Sequence, residues 1–233
     1  MELNSELTTI SVLLIGFLLG LQHAVEADHL AAVSTIVSEK KSLLSASIVG
    51  GFWGVGHTIS LFAVGLAVIL LKLQIPASFE TTIEACVGVM LVLLGVNAIR
   101  KLFAAETFHA HTHAHGEREH VHFHIHEEKQ AGSHHRFGPR SIFIGMLHGL
   151  AGSAALMLIL IPTISSPALA LVYILVFGFG SILGMMAMSF LIGLPLHFTA
   201  SRFKLINSGI RLCAGLFSLG LGALMIYERL APV

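Results

Sequence analysis

Four side chains that can bind a metal ion or carry a proton lie close together in an apolar stretch near the start of the chain. The stretch reads LGLQHAVEADHLAAV and contains His23, Glu26, Asp28 and His29. A carboxylate at the centre of a membrane helix costs about 2.5–3.5 kcal/mol, so such groups are retained where they line a polar path or hold a cation. Imidazole and carboxylate without thiolate favour nickel, cobalt, copper(II) or zinc. A polar cluster that only packs against another helix is the weaker alternative.

A straight helix does not direct all four side chains at one ion. At about 100° per residue, His23, Glu26 and His29 share an arc of about 120°, whereas Asp28 falls outside it. Either Asp28 orients a histidine ring from behind, or the helix is locally unwound at this point. We favour local unwinding.

Two histidines from other apolar stretches are candidates to complete the cluster. His57, in GFWGVGHTISLF, follows two glycines that allow helices to approach closely. His148, in IGMLHGLAG, has the same local context as His23. A lone buried histidine is usually a satisfied core residue, but beside the first cluster both become plausible ligands. His197, near the end of another apolar stretch, is expected at the membrane interface.

The composition places these residues in a membrane protein. Hydrophobic residues make up 55% of the 233 positions and charged residues only 11%, against roughly 25% charged in soluble domains. The net charge is zero, so nothing indicates nucleic-acid binding. The N-terminus, MELNSELTTI, is acidic, so the first apolar run is expected to be retained rather than cleaved as a signal peptide. We predict an all-α membrane protein with six transmembrane helices, at residues 8–36, 43–71, 81–103, 141–163, 168–194 and 206–228.

The two halves of the chain resemble each other. Cys86 recurs 127 residues later as Cys213, and GLQH at 20–23 recurs 125 residues later as GMLH. A repeat of three helices is odd-numbered, so the second copy must insert upside down, as in transporters whose sites lie between inverted repeats. We therefore predict a first repeat at 1–103, a histidine-rich loop at 104–140 and a second repeat at 141–233.

The loop at 104–140 differs in composition from the rest of the chain. It contains ten of the 15 histidines and no long apolar run, which predicts disorder. Lys and Arg favour the side of the membrane that carries this loop by ten to two. We therefore predict a cytoplasmic loop, with both termini outside a cell (inner) membrane. Its HxHxH runs are expected to bind transition metals with low geometric selectivity, and a solubilising linker is the alternative.

The first two motifs resemble those of a known family. HAVEADH at 23–29 is similar to the His-Ala-x-Asp-Ala-Asp-His motif of the nickel/cobalt transporter (NiCoT) family, with Glu26 in the place of its first acid. GHT at 56–58 resembles the family's Gly-His-Ser on the next helix. The family usually has eight helices where we predict six, and its later acidic motifs are absent, as in shorter urease-accessory-like relatives. The residues that the resemblance assigns to recognition of Ni²⁺ or Co²⁺ are His23, Asp28, His29 and His57.

These features predict a membrane permease for Ni²⁺ and/or Co²⁺ rather than an enzyme, with uptake as the direction that the resemblance implies. The ion is the substrate, and no cofactor is expected. The expected partners are the lipid bilayer and cytoplasmic metallochaperones or urease or hydrogenase assembly proteins. The candidate metal ligands are His23, Glu26, Asp28, His29, His57 and His148.

Three alternative functions stay open at this point. One is efflux of the same ions, and another is a membrane subunit for metal sensing or urease assembly that does not transport. The third is a thiol–disulfide electron carrier using Cys86 and Cys213. It is weaker, because neither cysteine has a neighbouring charge or proline that would tune a thiolate.

Overall fold

The computed structural model of the chain describes residues 2–40, 42–72, 76–104, 109–115, 118–124, 137–151, 166–200 and 202–230. Within these residues the chain forms seven helices and one hairpin of two strands. The helices are α1 (Glu2–His23), α2 (Ala27–Val37), α3 (Leu43–Leu71), α4 (Ala77–Ala104), α5 (Phe137–Gly149), α6 (Pro167–Ala200) and α7 (Lys204–Leu230). The strands are β1 (His109–His115) and β2 (Arg118–His124).

Most of the predicted membrane spans are present as long apolar helices. In the described residues α3, α4, α6 and α7 each qualify as a span, with mean hydropathies from 1.8 to 2.2. They contain the predicted runs at 43–71, 81–103, 168–194 and 206–228. Counted as one bent span, the pair α1 and α2 is a fifth candidate, over the predicted run 8–36. These helices confirm an all-α membrane protein. Only 141–151 of the predicted run 141–163 is described, so a sixth span stays a prediction.

The first span is broken at the polar cluster, as the helical angles of its side chains predict. α1 ends at His23 and α2 begins at Ala27, with a bend of 55° between them. The amide of Glu26 donates to the carbonyl of His23 at 3.1 Å, and Glu26 itself is extended. The segment HAVEADH contains neither glycine nor proline, the usual causes of a kink. The polar side chains do contact one another at the break, His23 with Glu26 and Asp28 with His29.

Glycines hold the antiparallel pair α4 and α7 together. A Cβ added at Gly88 would lie 2.9 Å from the carbonyl oxygen of Gly222, and one at Gly95 would lie 2.6 Å from that of Gly215. Between these contacts the hydroxyl of Ser218 donates to the carbonyl of Leu91 at 2.8 Å. Such close backbone approach is typical of membrane helices, which associate through small residues rather than through the hydrophobic effect.

A second close crossing, of α5 on α3, positions the histidines of these two helices. A Cβ at Gly145 would collide with the carbonyl of Trp53, and one at Gly149 would lie 2.5 Å from the carbonyl oxygen of His57. Because α5 approaches α3 this closely, His148 lies beside the middle of α3. Both α1 and α3 pack on α6, and α2 packs among α4, α6 and α7.

The histidine-rich segment contains regular structure where the sequence predicts disorder. β1 and β2 pair antiparallel, with His109 opposite His124, His111 opposite His122 and His113 opposite His120. The prediction of disorder in these two strands is wrong. It weighed composition alone, whereas histidine alternating with alanine, threonine, valine and phenylalanine also has the period of a strand. Residues 105–108, 116–117 and 125–136 of the predicted loop lie outside the described residues.

Candidate metal centre

Three histidines from three helices meet at the break in the first span. His23 ends α1, His29 lies in the first turn of α2, and His57 lies near the middle of α3. All three are buried, with exposed fractions of 3%, 0% and 0%. One ligand nitrogen from each ring lies within 4.8 Å of the other two.

The spacing of two of these rings matches that of ligands on one ion. The Nε2 atoms of His23 and His57 lie 3.2 Å apart. Two imidazole nitrogens bound at about 2.1 Å are separated by about 3.0 Å in cis octahedral geometry and by about 3.4 Å in tetrahedral geometry. The observed separation falls between these values, so an ion could bridge the two rings without moving them apart.

Two carboxylates fix the orientation of two of the rings. Glu26 Oε1 lies 2.9 Å from Nδ1 of His23, and Asp28 Oδ1 lies 2.9 Å from Nδ1 of His29. Each contact implies, by inference from the hydrogen bond, an Nδ1–H that donates to the carboxylate and an Nε2 lone pair directed elsewhere. Nε2 of His29 is buried and has no hydrogen-bond partner among the described residues. A histidine held by a carboxylate through one nitrogen, with its other nitrogen open, is the usual form of a metal ligand.

Asp28 also ties the broken helix to α5. Its Oδ2 accepts a hydrogen bond from Nε2 of His148 at 3.0 Å, and its Oδ1 accepts one from the backbone amide of His29 at 2.8 Å. Asp28, His29 and His148 form a second group whose ligand atoms lie within 4.8 Å of one another. His29 therefore belongs to both groups. The sequence left two alternatives for Asp28: that it orients a histidine ring, or that the helix is locally unwound. Both are observed, since Asp28 contacts the ring of His29 and lies just after the break between α1 and α2.

Helix termini add a favourable field for a cation. α1 ends at His23 and α5 ends one residue after His148, so the negative ends of two helix dipoles meet at the cluster. The positive N-terminus of α2 also lies there, and Asp28 in its first turn offsets it. Glu26 and Asp28 supply two carboxylates, the number of negative charges that a divalent ion requires for neutrality.

A tryptophan shields the cluster from one side. Trp53 has an exposed fraction of 1%, and its ring centroid lies 5.2 Å from that of His29 and 5.3 Å from that of His148. Phe177 of α6 covers His23, with 5.7 Å between the centroids of the two rings. The sequence reasoning missed both residues. For Trp53 a signal existed, because it precedes His57 by four positions and therefore lies on the same face of α3.

The comparisons with known proteins find a bacterial relative that matches most of the chain. The urease accessory protein UreH of Bacillus sp. (strain TB-90) is 37% identical over 203 residues, which cover 87% of this chain and 85% of the relative. The chain belongs to the UreH family of urease accessory proteins. This family is of the shorter, urease-accessory-like type that the sequence predicts, while the likeness to nickel/cobalt transporters stays a resemblance of motifs. The relative's name describes an accessory protein, which accords with the prediction that the chain is not an enzyme.

A more distant relative of the UreH-family chain comes from a plant. It is the chloroplast protein FOR GROWTH AND FERTILITY 2 of Arabidopsis thaliana, 23% identical over 219 residues. The match covers 92% of this chain but only 55% of the plant protein, so the chain spans about half of that protein's length. No family model matches the UreH-family chain, and no solved structure matches it.

All six residues predicted as ligands in the UreH-family chain come together in this cluster, but in unequal positions. The rings of His23, His29 and His57 face one another, while Glu26, Asp28 and His148 contact those rings or each other. His197 lies exposed near the end of α6, and its place at the membrane interface stays a prediction.

The cysteines of the UreH-family chain lie far apart. Both are free and exposed, Cys86 on α4 and Cys213 on α7. Gly88 lies opposite Gly222 in this antiparallel pair, so Cys86 is level with residues near 224. At about 1.5 Å per residue, Cys213 is displaced by about 16 Å along the pair, well beyond the Cα separation of a disulfide. This register argues against a thiol–disulfide function.

Proposed function

We propose that this UreH-family protein is a membrane permease that takes up a divalent transition-metal ion, Ni²⁺ and/or Co²⁺, through the His23, His29 and His57 centre. The observation that carries the proposal is three buried imidazoles facing one another at a break in a membrane span. Burying these rings together without an ion leaves Nε2 of His29 unpaired among the described residues. An unpaired buried polar atom is unfavourable, and a metal ion would remove that penalty.

The set of donors supports a transition metal as the substrate rather than an alkali or alkaline-earth ion. Imidazole nitrogens suit nickel, cobalt, copper and zinc, whereas calcium and magnesium bind oxygen. The carboxylates of Glu26 and Asp28 act behind the rings, where they raise the basicity of the ligands and balance the charge of the ion. His148 holds Asp28 in place and lies close enough to share the ion as it moves.

Two inverted three-helix repeats are part of the proposal. Gly88 contacts Gly222 and Gly95 contacts Gly215, so each glycine of α4 contacts the repeat counterpart of the other. The contact of Gly149 with His57 has a counterpart in the contact of Gly184 with Ala24, at positions displaced by the same 125 and 127 residues that relate the sequence motifs. Reciprocal contacts of this kind are expected of a two-fold axis, and rocking of two such halves would expose the centre alternately to either side.

The histidine-rich segment is assigned an auxiliary role. We place it in the cytoplasm with both termini outside, on the distribution of Lys and Arg. There it would collect or deliver ions at the inner mouth, to metallochaperones or urease assembly proteins. Deleting 109–124 should alter the rate of transport without abolishing it.

Flux measurements on purified protein test the permease function. Liposomes containing the wild-type protein and an internal Ni²⁺-sensitive dye should fill with Ni²⁺, and those containing His29→Ala should fill at the rate of empty liposomes. His197→Ala, which removes an exposed histidine, is the matched control and should transport normally. Normal flux in His29→Ala would refute the assignment of the centre.

The nickel content of cells tests the direction of transport. Expression of the protein should raise that content if the protein takes up nickel, and should lower it if the protein exports nickel.

A second function is favoured by the name of the bacterial relative. A urease accessory protein could bind the ion in the membrane and assist assembly without transporting it. In that case the purified protein would bind Ni²⁺ through His29 but would not fill liposomes.

A double variant, Cys86→Ala with Cys213→Ala, should retain flux, since neither thiol lies at the centre.

A further inference from the structure

A cavity lies at the far end of α2 from the histidines. It is enclosed by the C-terminal end of α2, the last part of α4 and the first turns of α5. Its polar lining consists of Thr35, Glu39, Lys40, Asn97, Arg140 and Ser141. Thr35 follows His29 by six positions and Ser141 precedes His148 by seven, so the cavity lies about 10 Å from the histidine centre along both helices.

Positive charge exceeds negative charge in this cavity. Lys40 and Arg140 line it, and its one acidic lining residue, Glu39, is engaged by Lys101 at 2.7 Å. Burial lowers the pKa of the Lys40 ammonium; Glu39 opposes that shift, and the nearby Lys101 and Arg140 cations add to it. Among the described residues around the cavity, Lys40, Lys101 and Arg140 outnumber the one carboxylate, which gives the lining the basic character that an anion site requires.

The remaining lining and the rim indicate which anion would fit. The Ser141 hydroxyl and the Asn97 amide line the cavity and can donate hydrogen bonds to oxygens. Leu93 and Phe143, adjacent in sequence to lining residues, have exposed fractions of 63% and 61% on the outer surfaces of α4 and α5. A group bound here would therefore lie beside apolar helix surface at the end of the membrane spans.

We propose that this cavity binds a phosphate group through Lys40 and Arg140, and that an anionic phospholipid supplies it. A guanidinium and an ammonium with neutral donors between them match the oxygens of a phosphate. Basic pockets between the ends of membrane helices are known sites for anionic headgroups, whose acyl chains would lie along the exposed face that carries Leu93 and Phe143. This site is independent of the metal centre and does not rest on the proposed transport function.

Lipid binding to the delipidated full-length protein tests the proposal. Native mass spectrometry with added phosphatidylglycerol or phosphatidylcholine should show about tenfold or greater preference for the anionic lipid. The double variant Lys40→Gln with Arg140→Gln should lose that preference. The double variant Arg202→Gln with Lys204→Gln removes the same charge from exposed positions outside the cavity and should keep it. Lys40→Arg with Arg140→Lys preserves the charge and should also keep it, which guards against a folding defect.

Equal retention of phosphatidylglycerol by the wild type and by Lys40→Gln with Arg140→Gln would overturn the proposal. Binding of inorganic phosphate, lost in that variant and accompanied by no lipid preference in the wild type, would support the phosphate site and overturn the phospholipid as its source. Because no metal is present in these measurements, failure here leaves the flux experiments unaffected.

Discussion

The Nε2 atoms of His23 and His57 lie 3.2 Å apart, although 34 positions separate the two residues in the chain. The contact joins the C-terminal end of α1 to the middle of α3 at the point where the first membrane span is broken. A single bound ion would convert this contact between rings into two metal–nitrogen bonds.

Removing one of these rings should weaken metal binding strongly. His57→Ala deletes a nitrogen donor in a fully buried position, where no other side chain can take its place without repacking. We expect the affinity for Ni²⁺ to fall by about 100-fold or more, since even partners behind the ligands contribute about 10–100-fold. Isothermal titration calorimetry of the purified protein measures the loss. His197→Ala should bind as the wild type does, and an unchanged affinity in His57→Ala would remove His57 from the centre.

Asp28 should matter through the rings that it orients. Asp28→Asn keeps the size of the side chain but leaves one acceptor oxygen where the carboxylate serves both His29 and His148. We expect a loss of about 10–100-fold in Ni²⁺ affinity. Glu26→Gln is the comparison, because Glu26 contacts only His23 among the described ion pairs and its side chain is 41% exposed. The same titration should show a smaller loss for Glu26→Gln, and a larger one would reverse these roles.

Trp53 should report binding directly, since it is the single tryptophan of the chain. Its ring centroid lies 5.2 Å from that of His29, so an open-shell ion such as Ni²⁺ or Co²⁺ at the centre should quench its fluorescence. A titration should give saturable quenching in the wild type and none at the same concentrations in His29→Ala. Quenching of equal size and midpoint in both proteins would indicate that the ion binds elsewhere.

Gly149 should be intolerant of a side chain. A Cβ there would lie 2.5 Å from the carbonyl oxygen of His57 and 2.9 Å from its Cα, so α5 and α3 would have to separate. Gly149→Ala should lower stability by about 1–3 kcal/mol, as overpacking does, and should also weaken Ni²⁺ binding because His57 moves. Thermal unfolding in detergent and the fluorescence titration measure the two effects. Gly209→Ala is the control, since a Cβ at Gly209 meets no atom within 4 Å, and it should lower neither stability nor Ni²⁺ binding.

The sequence predicted which side chains cluster at the break between α1 and α2, but not all of the contacts between their atoms. Ionisable residues are unfavourable in an apolar run, so HAVEADH stood out in the sequence as a candidate functional segment. The helical angle of Asp28 relative to His23 favoured a break in the helix at this segment. How His57 and His148 meet this segment depends on how α3 and α5 cross beside it. That information lies in close approaches such as Gly149 against His57, which no single segment encodes.

Other features depended on contacts that composition does not reveal. In the sequence Trp53 is one more apolar residue of α3. Its contact with the cluster exists only because α2 and α5 place His29 and His148 beside its ring. The bounds of α3 matched the prediction because its apolar run ends sharply at Ser42 and Lys72, where the polar caps lie. The hairpin of β1 and β2 was missed because histidine content was weighed and its alternation was not.

An anomalous-difference map from crystals soaked in Ni²⁺, collected at the nickel edge, would locate the bound ion itself. We expect one strong peak between the rings of His23, His29 and His57, about 2.1 Å from a nitrogen of each ring. A map whose peaks lie only on the histidine-rich hairpin or on surface carboxylates, with the space between these three rings empty, would contradict it.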